Sequence, residues 1–506
     1  MKKRMTMKVA LLLGLISLLV LSASMVMASS KAKEELPEYI GSQACLGCHS
    51  DKYAAWDTSD HANMLVEIQN MSELPVDIKS APAELQAELQ KATHLVAGTR
   101  FMARDPASQH YKFLGVTYDP ATGKYNKANP GSDWSTGCAG CHTTDMNTQN
   151  GTWNEAGIGC EACHGPGRDH ATNKGDVTKI TRTNEADVCG QCHGGADRVT
   201  GGNLMTDGTK WVVGYRPGMK LSEVKGLNLT IVDPGKLPPD PNKNHLRVYG
   251  MWAASGHGQA NKSLLNSSYA SAECFTCHTA EGIAAKAAGT EVDPAHKASF
   301  QPITCVSCHD PHNTENHYQL RMEPEALCAS CHANHDVAPG KPAKAGSTVY
   351  ESNEAALKGY GAIGIKETES FHSDISCVEC HMVEGNHLMQ VIRPDAAGLD
   401  AARVDACTQC HKDSDKEVRG AYLQEWQASF EKRMPGLQAD VTAIGNALKA
   451  NPMLLSADLQ AKYDAAKTNL SIIANDGSRG AHNFEYAMKI MSQARKDLDA
   501  VKAVVK

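Results

Sequence analysis

GIGCEACHGPGRDH, residues 157–170, sets Cys160 and Cys163 two residues apart, follows them at once with His164 and places His170 six positions further on. Three chemistries use closely spaced cysteines: a redox dithiol, a zinc knuckle and covalent attachment of c-type haem. Only the last requires a histidine directly after the second cysteine. The remaining sequence decides between them. The same CxxCH pattern occurs at Cys45, Cys48 and His49; at Cys138, Cys141 and His142; at Cys189, Cys192 and His193; at Cys274, Cys277 and His278; at Cys305, Cys308 and His309; at Cys328, Cys331 and His332; at Cys377, Cys380 and His381; and at Cys407, Cys410 and His411. With the opening stretch these make nine motifs, numbered 1 to 9 in chain order, and they use all 18 cysteines. Zinc would need ligand sets adding up to four per ion, which this spacing does not call for. The expectation is haem c, nine groups, all covalent.

The spacing has a mechanical reason. Two cysteines three positions apart share one side of a helical turn, so both sulfurs reach one porphyrin edge. The next residue then swings its imidazole under the iron as the proximal ligand. No cysteine is left over for a disulfide or a nucleophile.

The first 28 residues fit this chemistry. Lys2, Lys3 and Arg4 precede an apolar run from Val9 to Val20, and small residues near Ala28 read as a signal peptide cleavage site. Haem of this kind is attached outside the cytoplasmic membrane, so the chain is expected to be exported, to the periplasm, the cell exterior or an outer-membrane-associated position. No later segment is apolar enough to span a bilayer, so no integral span is expected after cleavage. Aromatic residues are only 5% of the chain. With one motif for roughly every 50 residues, porphyrins would supply the flat apolar bodies that aromatics usually provide. A formal charge of −7 offers no basic patch for nucleic acid.

The motifs are grouped. Residues 29–193 hold four, the Gly- and Pro-rich stretch 194–273 reads as a loop-rich linker, and 274–415 hold five. Residues 416–506 carry none and turn helical. There Phe484, Met491, Leu498 and Val505 recur every seven residues with Ala487, Ala494 and Val501 between them, a seam suited to packing within the domain or to a homo-oligomer. The fold expected is mainly α with extensive irregular loops, stacked haems forming much of the core and a C-terminal helical bundle closing it.

Each iron needs a sixth ligand to be low-spin. Of the 22 histidines, those outside the motifs are His61, His94, His110, His170, His245, His257, His296, His312, His317, His335, His372, His387 and His482. Most of these (His61, His170, His257, His296, His312, His317, His335, His372, His387 and His482) are candidate distal ligands. His170, His312 and His387 follow a proximal histidine too closely to wrap round to the far face of the same haem. Each is therefore expected to reach a neighbouring iron.

YIGSQACLGCHSDKYAAWDTSDHA (39–62) resembles the first haem segment of the cytochrome c554 and hydroxylamine oxidoreductase relatives, in which the histidine of a W-x-x-S-x-H pattern is a distal ligand. That resemblance assigns the role to His61 after Trp56, and MWAASGHGQA (251–260) repeats it with Trp252 and His257. The segment 375–411 with RGAHNFEYA (479–487) is similar to the closing portion of the pentahaem nitrite reductase and octahaem hydroxylamine oxidoreductase group, which implies that His482 ligates a haem. The chain departs from those enzymes in ending all nine motifs with histidine, where nitrite reductases carry CxxCK. Hydroxylamine oxidoreductases cross-link a tyrosine to the catalytic haem, and Tyr422, Tyr463 and Tyr486 lie in the region where one could occur. Three functions follow as expectations. The first is an electron-transfer cytochrome of anaerobic respiration, serving a quinol-linked donor, other cytochromes or a terminal reductase. The second is an oxidoreductase with one open haem, placed at His142, acting on nitrite, hydroxylamine or a sulfur oxyanion. The third is a subunit of an extracellular cytochrome filament.

Overall fold

The computed structural model describes residues 38–194, 204–206, 209–233, 247–396, 399 and 404–505. The leader, His245, Gly201-Gly202 and most of the 233–245 run lie outside them.

Short helices and loops carry the motifs, and one compact sheet interrupts them. Helix α1 (Ser50–Asp57) follows motif 1. Strands β1 (Leu65–Glu67), β2 (His94–Val96), β3 (Arg100–Arg104), β4 (Tyr111–Asp119) and β5 (Lys124–Lys127) form an antiparallel meander in sequential order, with helix α2 (Ala83–Leu89) inserted after β1. Alternation of side chains across the pleat gives the sheet two apolar faces. Phe101, Val116 and Tyr125 pack on Leu85 and Leu89 of α2, while Leu65, Val96, Met102 and Phe113 pack on Trp134 and Ala139. Ala139 lies inside motif 2, so this second face seats that motif. The sheet did not emerge from the motif-centred reading. Its signal is present in YKFLGVTYDPATGKYNK (111–127), two β-rich runs joined by a turn.

Helix α3 (Val248–Ala254) lies within the expected linker. Beyond motif 9, α4 (Lys416–Ala450), α5 (Ala457–Asn475) and α6 (Phe484–Lys502) pack together. Asp415, Ser456 and Asn483 cap their N-termini by accepting backbone N–H groups. Met491, Leu498, Ala487, Ala494 and Val501 of the heptad seam are buried inside this bundle. The seam is therefore filled by the domain's own helices. The same core takes in Val337, Val349, Tyr360 and Ala362 from the segment before motif 8. The Tyr486 hydroxyl donates to the Tyr360 carbonyl at 2.7 Å, and Asn469 exchanges hydrogen bonds with both backbone groups of Ile363. Tyr463 and Tyr486 are thus spent on packing and donate to backbone carbonyls. Tyr422 faces the cavity described next.

Candidate functional site: a cavity crossed by histidine pairs

In the opening stretch, Gly165 has φ 77°, a left-handed conformation that glycine adopts without strain, and it turns the chain sharply after His164. The Glu161 carboxylate, 1% exposed, accepts the N–H groups of Ile40 (3.0 Å), Gly41 (2.7 Å) and Gly167 (2.6 Å). A buried carboxylate held by three backbone donors fastens the approach to motif 1 onto motif 3. His170 is thereby carried back toward His49.

The rings of His49 and His170 lie with centroids 6.2 Å apart. Six further pairs share this geometry: His61 with His193 (6.3 Å), His164 with His312 (6.1 Å), His257 with His332 (6.0 Å), His309 with His387 (6.4 Å), His372 with His411 (6.1 Å) and His381 with His482 (6.1 Å). Imidazole–metal bonds are about 2.0–2.1 Å and the ring centre lies ~1 Å behind the nitrogen, so two rings on opposite sides of one metal have centres about 6 Å apart. Each pair joins a motif histidine to one outside the motifs. His170, His312 and His387 each face the histidine of a motif other than the one just before them.

The opposite ring nitrogens are already committed. Nδ1 of His164 donates to the Thr181 carbonyl (2.8 Å), that of His170 to Asp176 (2.9 Å), of His309 to Tyr318 (2.7 Å), of His381 to Met389 (3.1 Å) and of His387 to Gly385 (2.8 Å). A carbonyl can only accept, so the proton sits on Nδ1 and Nε2 presents its lone pair. Tyr318 and Met389 hold φ of 56° and 55°, strained for non-glycine residues, and this backbone turns their carbonyls onto the rings. Two partners are carboxylates instead: Asp310 for His312 (3.1 Å) and Asp476 for His482 (2.5 Å). Burial pushes His61, His309, His372, His381 and His387 below the ordinary range, and His257 down to about 4, which favours the neutral, ligating form. Burial pulls on His482 too, but Asp476 outweighs it and carries the ring upward.

The two W-x-x-S-x-H segments are built alike. Tyr53-x-x-Trp56 and Tyr249-x-x-Trp252 set their rings 5.3 and 5.5 Å apart on α1 and α3. Trp56 Nε1 donates to the Ile158 carbonyl (2.9 Å) and Trp252 Nε1 to Ile303 (2.7 Å), in each case two residues before a motif's first cysteine. Ser59 and Ser255 then accept the N–H of Ala62 and Gly258 and turn the chain, aiming His61 and His257 inward. The Tyr249 ring also lies on Gly190 of motif 4, where any Cβ would meet it at 2.4 Å, so this CxxCH can hold only glycine there.

Five of the histidine pairs, all but His49 with His170 and His164 with His312, and most motif cysteines line one cavity of about 3310 Å³. Ordinary small-molecule pockets reach about 1,000 Å³, so this space suits a file of large groups. None of the 18 cysteines is in a disulfide. Among the described residues no cluster of three or more His, Cys, Asp or Glu is placed to hold a bare metal ion. Paired cysteines and an adjacent imidazole at each motif, with a second imidazole facing it at seven, form a donor set that fits haem. His296, His317 and His335 lie exposed. His142 meets Trp134 edge-on at 6.5 Å.

The comparisons agree. Residues 296–337 match the model for a doubled CXXCH motif, and residues 99–165 that for cytochrome c554 and c-prime. The chain is a multihaem c-type cytochrome. Among solved structures the cytochrome is similar to the outer cell wall cytochrome OcwA, with 27% identity over 91% of this chain and 100% of that one and a TM-score of 0.74. The undecaheme cytochrome from the S-layer of Carboxydothermus ferrireducens shares its fold, at 22% identity over 95% of this chain and 72% of that one, with a TM-score of 0.64. No curated protein matches the cytochrome. Among its described residues no helix is long and apolar enough to cross a membrane.

Contacts between cysteines were not legible in the sequence. The thiols of Cys45 and Cys160 are hydrogen-bonded, as are those of Cys189 and Cys305, Cys328 and Cys377, Cys141 and Cys192, and Cys277 and Cys331. Cys163 lies beside Cys189 and Cys192, Cys308 beside Cys328, and Cys380 beside Cys407 and Cys410.

Proposed function

We propose that the chain is an exported cytochrome carrying nine covalent haems, which conducts electrons between redox partners outside the cytoplasmic membrane. The observation that carries this reading is the set of seven crossed histidine pairs, five of which line one cavity. At each motif the two cysteines would form the thioethers and the motif histidine the proximal bond. The paired histidine, His61, His170, His257, His312, His372, His387 or His482, would fill the sixth position. Bound haem supplies one-electron exchange. At four of the seven pairs, His164 with His312, His257 with His332, His309 with His387 and His381 with His482, both rings have an Nδ1 partner, which would hold the same ligands on the iron in either oxidation state.

The cysteine contacts, with thiols standing where thioether sulfurs would be, support an order. They run through motifs 1, 3, 4, 6, 7, 8 and 9 in a line. Motif 2 joins at motif 4 through Cys141 and Cys192, and motif 5 at motif 7 through Cys277 and Cys331. The seven motifs of the line are the seven with facing histidines. The likeness to outer cell wall and S-layer cytochromes supports a position at or beyond the cell surface, with another cytochrome or a terminal acceptor as partner.

A second reading rests on motif 5. Among the described residues no histidine ring faces His278, and an iron held there with an open side would take a small ligand such as nitrite or hydroxylamine. The branch then serves as a reaction site fed by the line. Spin counting and carbon monoxide binding on the reduced holoprotein test both readings. Seven or more low-spin haems support the line, while turnover of nitrite at enzymatic rates would make the second reading the function.

A further inference from the structure

Seven of the motif and partner rings have backbone or neutral groups as described neighbours at Nδ1, and two have carboxylates, but the two carboxylates differ. Asp310 shares its charge with Arg321 at 3.5 Å and is 23% exposed. Asp476 is 3% exposed, and its oxygens take the His482 ring, the Ser478 hydroxyl and the Ser478 N–H, all of them neutral or polarised donors. A buried carboxylate accepting from Nδ1 makes the imidazole a stronger donor through Nε2, which favours the more positive iron. The neighbouring sites in the line lack this. At motif 7, His332 faces the Asn353 amide oxygen at 3.4 Å and His257 the Met389 sulfur. At motif 9 no carboxylate among the described residues meets either axial ring: buried Asp405 accepts the backbone N–H groups of Cys407 (2.8 Å) and Thr408 (3.0 Å), and Arg419, 11% exposed, donates to the His411 carbonyl at 3.1 Å. Asp405 and Arg419 pair with each other at 3.4 Å, so their charges largely cancel at this motif.

We propose that Asp476 is a positioning residue that sets the reduction potential of the motif 8 haem below those of motifs 7 and 9, so that the last haem of the line stands behind an uphill step. An electron leaving motif 7 would raise its energy at motif 8 and release it again at motif 9. Motif 9 would thus hold its electron until an outside acceptor takes it, and return flow into the line would be slow. This inference rests on the ligation of one iron by His381 and His482 proposed above.

The test uses the full holoprotein in spectroelectrochemical titration with low-temperature electron paramagnetic resonance. His482→Ala first identifies the motif 8 haem, as the one low-spin signal that becomes high-spin; no such change would overturn the ligation and, with it, this proposal. In the unsubstituted protein that signal should be lost to reduction after the motif 9 signal, which Cys407→Ala/Cys410→Ala identifies by removing it. Reduction of motif 8 before motif 9 overturns the proposal. Asp476→Asn should keep all haems low-spin and shift motif 8 alone toward reduction, by about tenfold in its oxidised-to-reduced ratio at fixed potential, about 59 mV. Asp476→Glu should restore the original value. An unmoved motif 8 in Asp476→Asn, or its conversion to high-spin, would show that Asp476 only shapes the loop, and the proposal would fall.

Discussion

The ring of His312 lies 6.1 Å from that of His164 and within 13° of parallel to it, although His164 ends motif 3 and His312 follows motif 6. If they share an iron, His312→Ala should turn one haem in nine high-spin while leaving the haem of motif 6, which directly precedes it, unaffected. His387→Ala should do the same to a different haem, and the double variant should show two high-spin signals. Electron paramagnetic resonance of the oxidised protein counts them, and identical signals from both single variants would disprove the cross-motif assignment.

His278 gives the prediction about open coordination. Reduced protein should bind carbon monoxide at motif 5, and Cys274→Ala/Cys277→Ala, which removes that haem, should lower the stoichiometry by one. Binding that persists unchanged in the variant would place the open iron elsewhere.

Mature protein should have the mass of polypeptide 29–506 plus nine haems. Thiols that alkylate in the intact denatured protein would show that a motif is empty.

Trp252 is tied to Ile303 through its indole N–H. Trp252→Phe keeps most of the packing and leaves a buried carbonyl short of its donor, a loss of about 1 kcal/mol. Calorimetry should show a lowered melting temperature, and Trp56→Phe should behave alike because its bond to Ile158 is equivalent.

His94, 5% exposed on the sheet, is pushed down to about 4 by burial. Its folded value lies below its unfolded one, so the unfolded chain takes up the proton first as pH falls. The sheet should lose stability between about pH 6.5 and 4, by at most about 1.4 kcal/mol per pH unit from this residue. Hydrogen exchange in β2 and β3 measures it, and His94→Leu should flatten the dependence.

How much of this was readable in advance follows the range of each signal. CxxCH is a local pattern whose chemistry fixes its spacing, so attachment sites could be read residue by residue. The C-terminal helices were visible in their heptads, because helix periodicity is also local. The pairing of His49 with His170 or of His372 with His411 depends on how distant loops come together, and no short pattern encodes that. Asp476 is invisible in sequence as a histidine partner because only the turn before α6 brings it to His482. The sheet was missed for another reason: its strands are short and its apolar faces alternate, so nothing in them competes with the motifs for notice.

The partner histidines also bear on how such a chain could change length. His312 follows motif 6 but faces motif 3, and His387 follows motif 8 but faces motif 6. Consecutive three-motif blocks therefore interlock, each lending a side chain backward to the one before. A protein cut cleanly between blocks would leave an axial position vacant at the new end. Shortening the conductor would create a reactive terminus, whereas the present end, motif 9, is closed from within its own block by His372.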